Sequence, residues 1–193
     1  MTILFEQTTY ENMKYPGDDL EHWNGEEYLI EDFSSHIEFE NGLIYDFYID
    51  KMLTDGLSVP QAFRDHIERY GWYLPAGLEH DGLYAGEVFP RNMSDWIFLE
   101  KMEYKDLSRQ SWWSRRSGAF LRNSAWLAVK AGGGFVWGKH NKVAVNAFRK
   151  LIWVKITECP KEKILNKIMQ HENKMIADGY NPVIKIEINK NIL

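Results

Sequence analysis

The tightest constraint on how this chain can fold is a dipeptide. Asn41-Gly42, following Glu40, separates His36-Ile37-Glu38-Phe39 from Leu43-Ile44-Tyr45-Asp46-Phe47-Tyr48-Ile49. Asn-Gly accepts positive φ at little cost, and between two alternating apolar runs it is the strongest short-range hairpin signal. With Tyr28-Leu29-Ile30 ahead of it, the stretch 27–49 predicts a small antiparallel sheet in the N-terminal third. Thr2-Ile3-Leu4-Phe5 predicts one further short strand before a break at Tyr15-Pro16-Gly17-Asp18. His36 reads as a histidine on the strand surface rather than a ligand.

Beyond the hairpin the period changes from two to about 3.6. Ser58 and Gln61 have the spacing of a capping box, which predicts a helix through about Tyr70. Pro75 predicts the start of a second helix, ended by Gly86 and Pro90. A third is predicted over Ser94 to Tyr104, with Asp95, Phe98, Leu99 and Met102 on its inward stripe. A fourth is predicted from Arg116 to about Lys130, packing through Phe120, Leu121, Ser124, Trp126, Leu127 and Ala128 and stopped by Gly132-Gly133-Gly134. Residues 135–157 are ambiguous between strand and helix. An amphipathic helix over Lys161 to Ala177 and a last strand over Val183 to Ile188, able to join the sheet as an edge, complete the chain. The fold class is α+β: a small N-terminal antiparallel sheet packed on a three- to four-helix core, with a C-terminal helix and edge strand. The expected organisation is an acidic lead-in over 1–24, a hairpin-plus-helix core over 25–138, and a basic and apolar extension over 139–193.

Charge sharpens that division. Residues 1–50 hold thirteen acidic side chains and one basic one, Lys14, whereas 105–155 hold eleven Lys or Arg against the single acid Asp106. Five tryptophans, Trp112, Trp113, Trp126, Trp137 and Trp153, lie in that basic stretch. Such a surface suits anionic lipid headgroups or nucleic acid, and reads equally as core tryptophans among solvated cations. With one cysteine, Cys159, no intrachain disulfide can form, so packing must hold the fold. No apolar run is long enough to span a membrane, and Met1 to Glu11 lack the regions of a signal peptide. The three glycines at 132–134 lack the spacing and following residues of a phosphate loop.

The residues with most chemistry are Leu78-Glu79-His80-Asp81-Gly82-Leu83-Tyr84. On a helix, His80 and Tyr84 share one face, and Asp81 is turned from His80 by roughly 100°. That splay suits a base on one side and a cation ligand on the other. Asp95 is out of place on an apolar stripe. A buried carboxylate needs a partner, and the His80 imidazole on the preceding helix is a natural one; alternatively Asp95 only caps its own helix. Asp55-Gly56 is a turn signal that also presents a carboxylate and backbone carbonyls of the kind calcium requires.

In order, Thr54-Asp55-Gly56-Leu57-Ser58-x-Pro60, His80-Asp81-x-Leu83-Tyr84 and Asp95-x-x-Phe98-x-x-x-Met102 resemble an uncharacterised phage and prophage family, over about residues 28–138. The same blocks, with Asn123-Ser124-Ala125-Trp126, are more remotely similar to the secreted prokaryotic calcium-dependent phospholipase A(2) fold. That resemblance implies a phospholipase-like core in which His80 is the general base for a water, Asp95 holds its far nitrogen, and Tyr84 hydrogen-bonds near Asp95. It implies calcium bound by Asp81 and Asp55 with the loop carbonyl near Leu57, stabilising an ester oxyanion. The secreted members rely on disulfides, whereas here Leu83 stands where cysteine or glycine is expected and Cys159 is the one cysteine, which argues for a setting without export, in host cytoplasm or virion.

The expectation is therefore a phage-encoded protein with a phospholipase-like site, a calcium-dependent ester hydrolase of lipid or cell envelope. The alternative is a non-enzymatic virion or host-interaction protein that retains the fold. Nucleic-acid binding through 105–155 is the weaker third idea.

Overall fold

The structure, a computed structural model, describes residues 2–14, 28–54, 73–108, 112–137 and 141–188. Its elements in chain order are β1 (Ile3–Lys14), β2 (Tyr28–Phe39), β3 (Ile44–Thr54), α1 (Leu74–Ala85), α2 (Arg91–Leu107), α3 (Trp112–Val136), α4 (Lys142–Arg149), β4 (Ile152–Glu158), α5 (Glu162–Ala177) and β5 (Ile184–Ile186). The five strands form one sheet in the order β1-β2-β3-β4-β5, antiparallel throughout except for the parallel β4–β5 pair. The class is α+β.

The β2–β3 hairpin forms where the sequence places it. Gly42 adopts φ +80°, and the amide of Leu43 donates to the Asn41 side-chain oxygen at 3.0 Å. A β-carbon at Gly42 would come within 2.5 Å of Pro160 Cγ, so both conformation and space call for glycine there. The period-two pattern sends Phe33, Ile37, Tyr45, Phe47 and Ile49 to one buried face, and a phase shift at Asp32, whose φ is +50°, lets Ile30 be buried as well. α1 and α2 pack on this face, adding Leu78, Leu83, Phe89 and Ile97 to the core. A smaller cluster of Tyr73, Ala76, Phe98, Met102 and Ala125 joins α1, α2 and α3.

Three expectations need correction. The sheet is larger than expected: β1 runs twelve residues, and β4, from the stretch left ambiguous by its sequence, pairs with β3 between the hairpin and the edge strand. α3 does not stop at Gly132-Gly133-Gly134 but continues to Val136. A mid-helix glycine costs only about 1 kcal/mol, and Trp137 at the helix end packs edge-on against Tyr84, with ring centroids 4.8 Å apart. The packing face of α3 is also rotated from the one expected. Phe120 and Leu127 are 65% and 59% exposed, while Gly118 and Ala125 are buried, with Leu121, Trp126 and Val129 against the smaller cluster. Gly118 lets the backbone of α3 approach Asp106, which is why the small residues face inward.

The predicted helix over Ser58 to Tyr70 lies outside the described residues. The ambiguous region 135–157 resolves into the end of α3, then α4 and β4, and the last strand is an edge as expected. The C-terminal extension is fastened from inside. Arg149, 2% exposed, donates to Glu172 Oε2 at 2.6 Å, to the Gly86 carbonyl at 2.8 Å and to the Asn181 carbonyl at 2.5 Å. Glu172 Oε1 in turn accepts the amide of Val183 at 2.7 Å.

Candidate functional site

α1 begins at Leu74 with Pro75 in its first turn and ends at Gly86, the boundaries that proline and glycine predict. Glu87 follows at φ +45°, and the chain reverses into α2 with Pro90 as its N-cap. This tight return sets α2 against α1, so a residue near the middle of the first helix faces one in the second turn of the second. His80 and Asp95 are such a pair.

His80 Nε2 lies 3.4 Å from Asp95 Oδ1, and the Tyr84 hydroxyl donates to the same carboxylate oxygen. Arg91 Nε approaches Asp95 Oδ2 at 3.6 Å, beyond hydrogen-bonding reach, so that oxygen accepts no hydrogen bond from the described residues. His80, Tyr84 and Asp95 are all buried, and rings wrap the imidazole: Tyr84 at 4.2 Å and Phe98 at 4.9 Å between centroids. On the other side, His80 Nδ1 is 3.7 Å from Asp81 Oδ1, and the Asp81 side chain is 30% exposed. Asp81 thus forms the solvent edge of the site.

The electrostatics follow from this enclosure. Burial alone would lower the His80 pKa, but hydrogen bonds and charge from Asp81 and Asp95 outweigh it and raise the value above 6.5. Burial would raise the Asp95 pKa, yet its contacts with His80, Tyr84 and Arg91 hold it below 3.8. Desolvation and the Asp95 carboxylate push the Tyr84 phenol up to about 12, so it remains a donor at any physiological pH.

The structure therefore brings His80, Asp81, Tyr84 and Asp95 together. Asp55 and Leu57, the other expected calcium ligands, lie outside the described residues. Among the described residues no group of three or more His, Cys, Asp or Glu could hold a metal ion. Among the described residues, Asp81 is the expected calcium ligand whose carboxylate stands at the solvent edge of the site.

Two features of the site escape the sequence. Arg91 and Trp137 complete the surroundings of Tyr84, from 3.4 Å and by the edge-on ring contact. Behind the site is a second polar cluster. Lys101 Nζ lies 2.5 Å from Glu79 Oε2, 3.3 Å from Glu6 Oε1 and 3.0 Å from Ser35 Oγ, and Tyr45 donates to Glu79 Oε1 at 2.5 Å. Lys101 and Glu79 are wholly buried. The available signal was Lys101 on the stripe side of α2, next to Met102, but alone it gives no hint that Glu6, 95 positions earlier, would meet it.

A family model described as a protein of unknown function, DUF1353, matches residues 28–129, just over half of the chain. The chain belongs to that family. No curated protein and no solved structure matches it.

Proposed function

We propose that the chain is an ester hydrolase of lipid or cell-envelope substrates, in which His80 activates a water and calcium assists. The observation that supports this reading is the arrangement of Asp95 behind Nε2 of His80, with Tyr84 fixing the carboxylate. An imidazole held at one nitrogen has a defined tautomer, and its other nitrogen is the basic one. Nδ1 lies on the Asp81 side, toward the solvent edge, where a water can enter. Loss of that water's proton to Nδ1 gives imidazolium, which Asp95 stabilises. The attacking oxygen adds to the ester carbonyl, and the proton is returned to the leaving alkoxide.

Calcium belongs to this proposal through Asp81, with Asp55 and the carbonyl near Leu57 as its expected companions. The ion would supply positive charge at the developing oxyanion. In the described residues Asp81 fits as one ligand, and the steps above use only the chain's own groups.

A second reading has its own observation. His80 is 7% exposed and enclosed by Tyr84 and Phe98, as befits a polar core in a non-enzymatic phage virion or host-interaction protein. Incubation with anionic vesicles, in calcium and in a chelator, separates the two. Calcium-dependent fatty-acid release by the wild type and none by a folded His80→Gln variant is the expected result. Absence of release in both conditions, with a destabilised His80→Gln variant, supports the second reading instead.

A further inference from the structure

The face of the sheet turned away from α1 and α2 carries side chains that neither reading uses. Cross-strand register arranges them in two rows. Gln7 stands opposite His36, His36 opposite Asp46, and Asp46 opposite Lys155; two residues along, Thr9 faces Ser34, Ser34 faces Tyr48, and Tyr48 faces Trp153. An antiparallel sheet with one solvated face normally turns small polar or charged residues outward. Here Trp153 is turned outward and is 45% exposed, stacked on Tyr48 with centroids 5.5 Å apart and planes at 21°. Between this aromatic pair and β1 lies an open depression of about 190 Å³, lined by Gln7, Thr9, Ser34, His36, Asp46 and Trp153 among others.

We propose that this depression is a binding site for a neutral saccharide, with Trp153 as its stacking wall and Gln7, Thr9, Ser34, His36 and Asp46 as its hydrogen-bonding groups. A pyranose ring needs two things at once: a flat apolar surface for its C–H face, and donors and acceptors for its hydroxyl rim. The aromatic row supplies the first. The second comes from groups already fixed in place: the Thr9 and Ser34 hydroxyls are 2.6 Å apart, and His36 Nδ1 is held 2.6 Å from Asp46 Oδ1. Side chains anchored on a sheet lose little freedom on binding, which favours affinity in a shallow site.

Charge selects among ligands. His36 is paired with both Asp46 and Glu38, and Lys155 with Glu187 at 2.8 Å, while the Asp32 carboxylate accepts the Tyr48 hydroxyl at 2.6 Å, so the two cations beside the depression, His36 and Lys155, are already engaged. A nucleotide or an anionic headgroup would need cations that are already engaged, whereas a neutral polyol does not. The site lies across the sheet from His80 and is independent of the hydrolase reading.

Titration of the protein with maltohexaose, mannohexaose and hexa-N-acetylchitohexaose, followed by calorimetry for every variant and by the Trp153 indole N–H resonance where that residue is present, tests this. At least one oligosaccharide should shift that resonance, and Gln7→Ala and Trp153→Ala should each weaken binding at least tenfold. Because Trp153→Ala also removes the Tyr48 stack, Trp153→Phe serves as a folded control that retains part of the affinity. His80→Gln should bind as the wild type does. The proposal is overturned if none of the three sugars binds, if Gln7→Ala and Trp153→Phe leave affinity unchanged, or if only nucleic acid or anionic vesicles move the Trp153 resonance.

Discussion

His80 Nε2 and Asp95 Oδ1 stand 3.4 Å apart across the α1–α2 contact, and Tyr84 donates to the same oxygen. Burial and the two flanking carboxylates act on His80 in opposite directions, and the carboxylates prevail. Asp95→Asn removes one charge and keeps the shape. The His80 pKa should then drop, because burial is opposed by Asp81 alone. Imidazole carbon-bound proton shifts against pH measure this, and an unchanged titration would mean the pair is not coupled.

The same shift sets two opposite pH dependences. The folded pKa of His80 lies above its unfolded value near 6.5, so its stabilising contribution is full below about 6.5 and fades as pH rises through the folded pKa. On the proposed hydrolase reading a neutral imidazole is needed, so any hydrolytic rate should rise through that window while stability falls. Urea unfolding of wild type and His80→Gln at several pH values isolates the first effect: the stability difference should shrink as pH rises. A difference that grows with pH contradicts the sign.

Lys101→Met should cost about 3–5 kcal/mol, the range for removing one partner of a buried ion pair. It leaves Glu79 and Glu6 facing each other without the cation between them. Adding Glu79→Gln should recover part of the loss, since one uncompensated charge disappears. Chemical denaturation of the single and double variants reads this directly, and additive losses would argue against the cluster.

Gly82→Ala places a methyl group 2.5 Å from Ile49 Cδ1 and 2.9 Å from Phe47 Cζ. Alanine is the better helix former by about 1 kcal/mol, but a crowded core loses about 1–3 kcal/mol. The variant should therefore be neutral to less stable by about 2 kcal/mol. A melting temperature clearly above wild type would show that α1 can move off β3.

Arg149→Met should release the C-terminal extension from the end of α1, because the guanidinium joins Gly86, Glu172 and Asn181. Hydrogen exchange should speed up at Val183 and Ile184, whose amides donate to Glu172. The β2–β3 hairpin should remain protected. Uniform acceleration over the whole sheet would indicate global destabilisation instead.

Local chemistry made much of the frame legible. Asn41-Gly42 fixed the hairpin because few other residues accept positive φ, and Pro75, Gly86 and Pro90 bounded α1 because they break or cap a helix wherever it packs. Asp95 could be recognised as needing a partner because it stood on an apolar stripe. α3 was less legible: glycine is a weak stop signal, and small residues faced inward where large ones were expected, since close approach to Asp106 outweighed apolar area.

By itself, then, the sequence determined the hairpin, the bounds of α1 and which polar side chains α1 carries around His80, all set by residues close together in the chain. Tertiary structure decided that β4 pairs with β3, that Lys101 is buried against Glu6 and Glu79, and that Trp153 and Gln7 edge one depression. These pair residues tens of positions apart or more. Their meeting depends on strand order and register, which are set by the packing of the whole core rather than by any local signal.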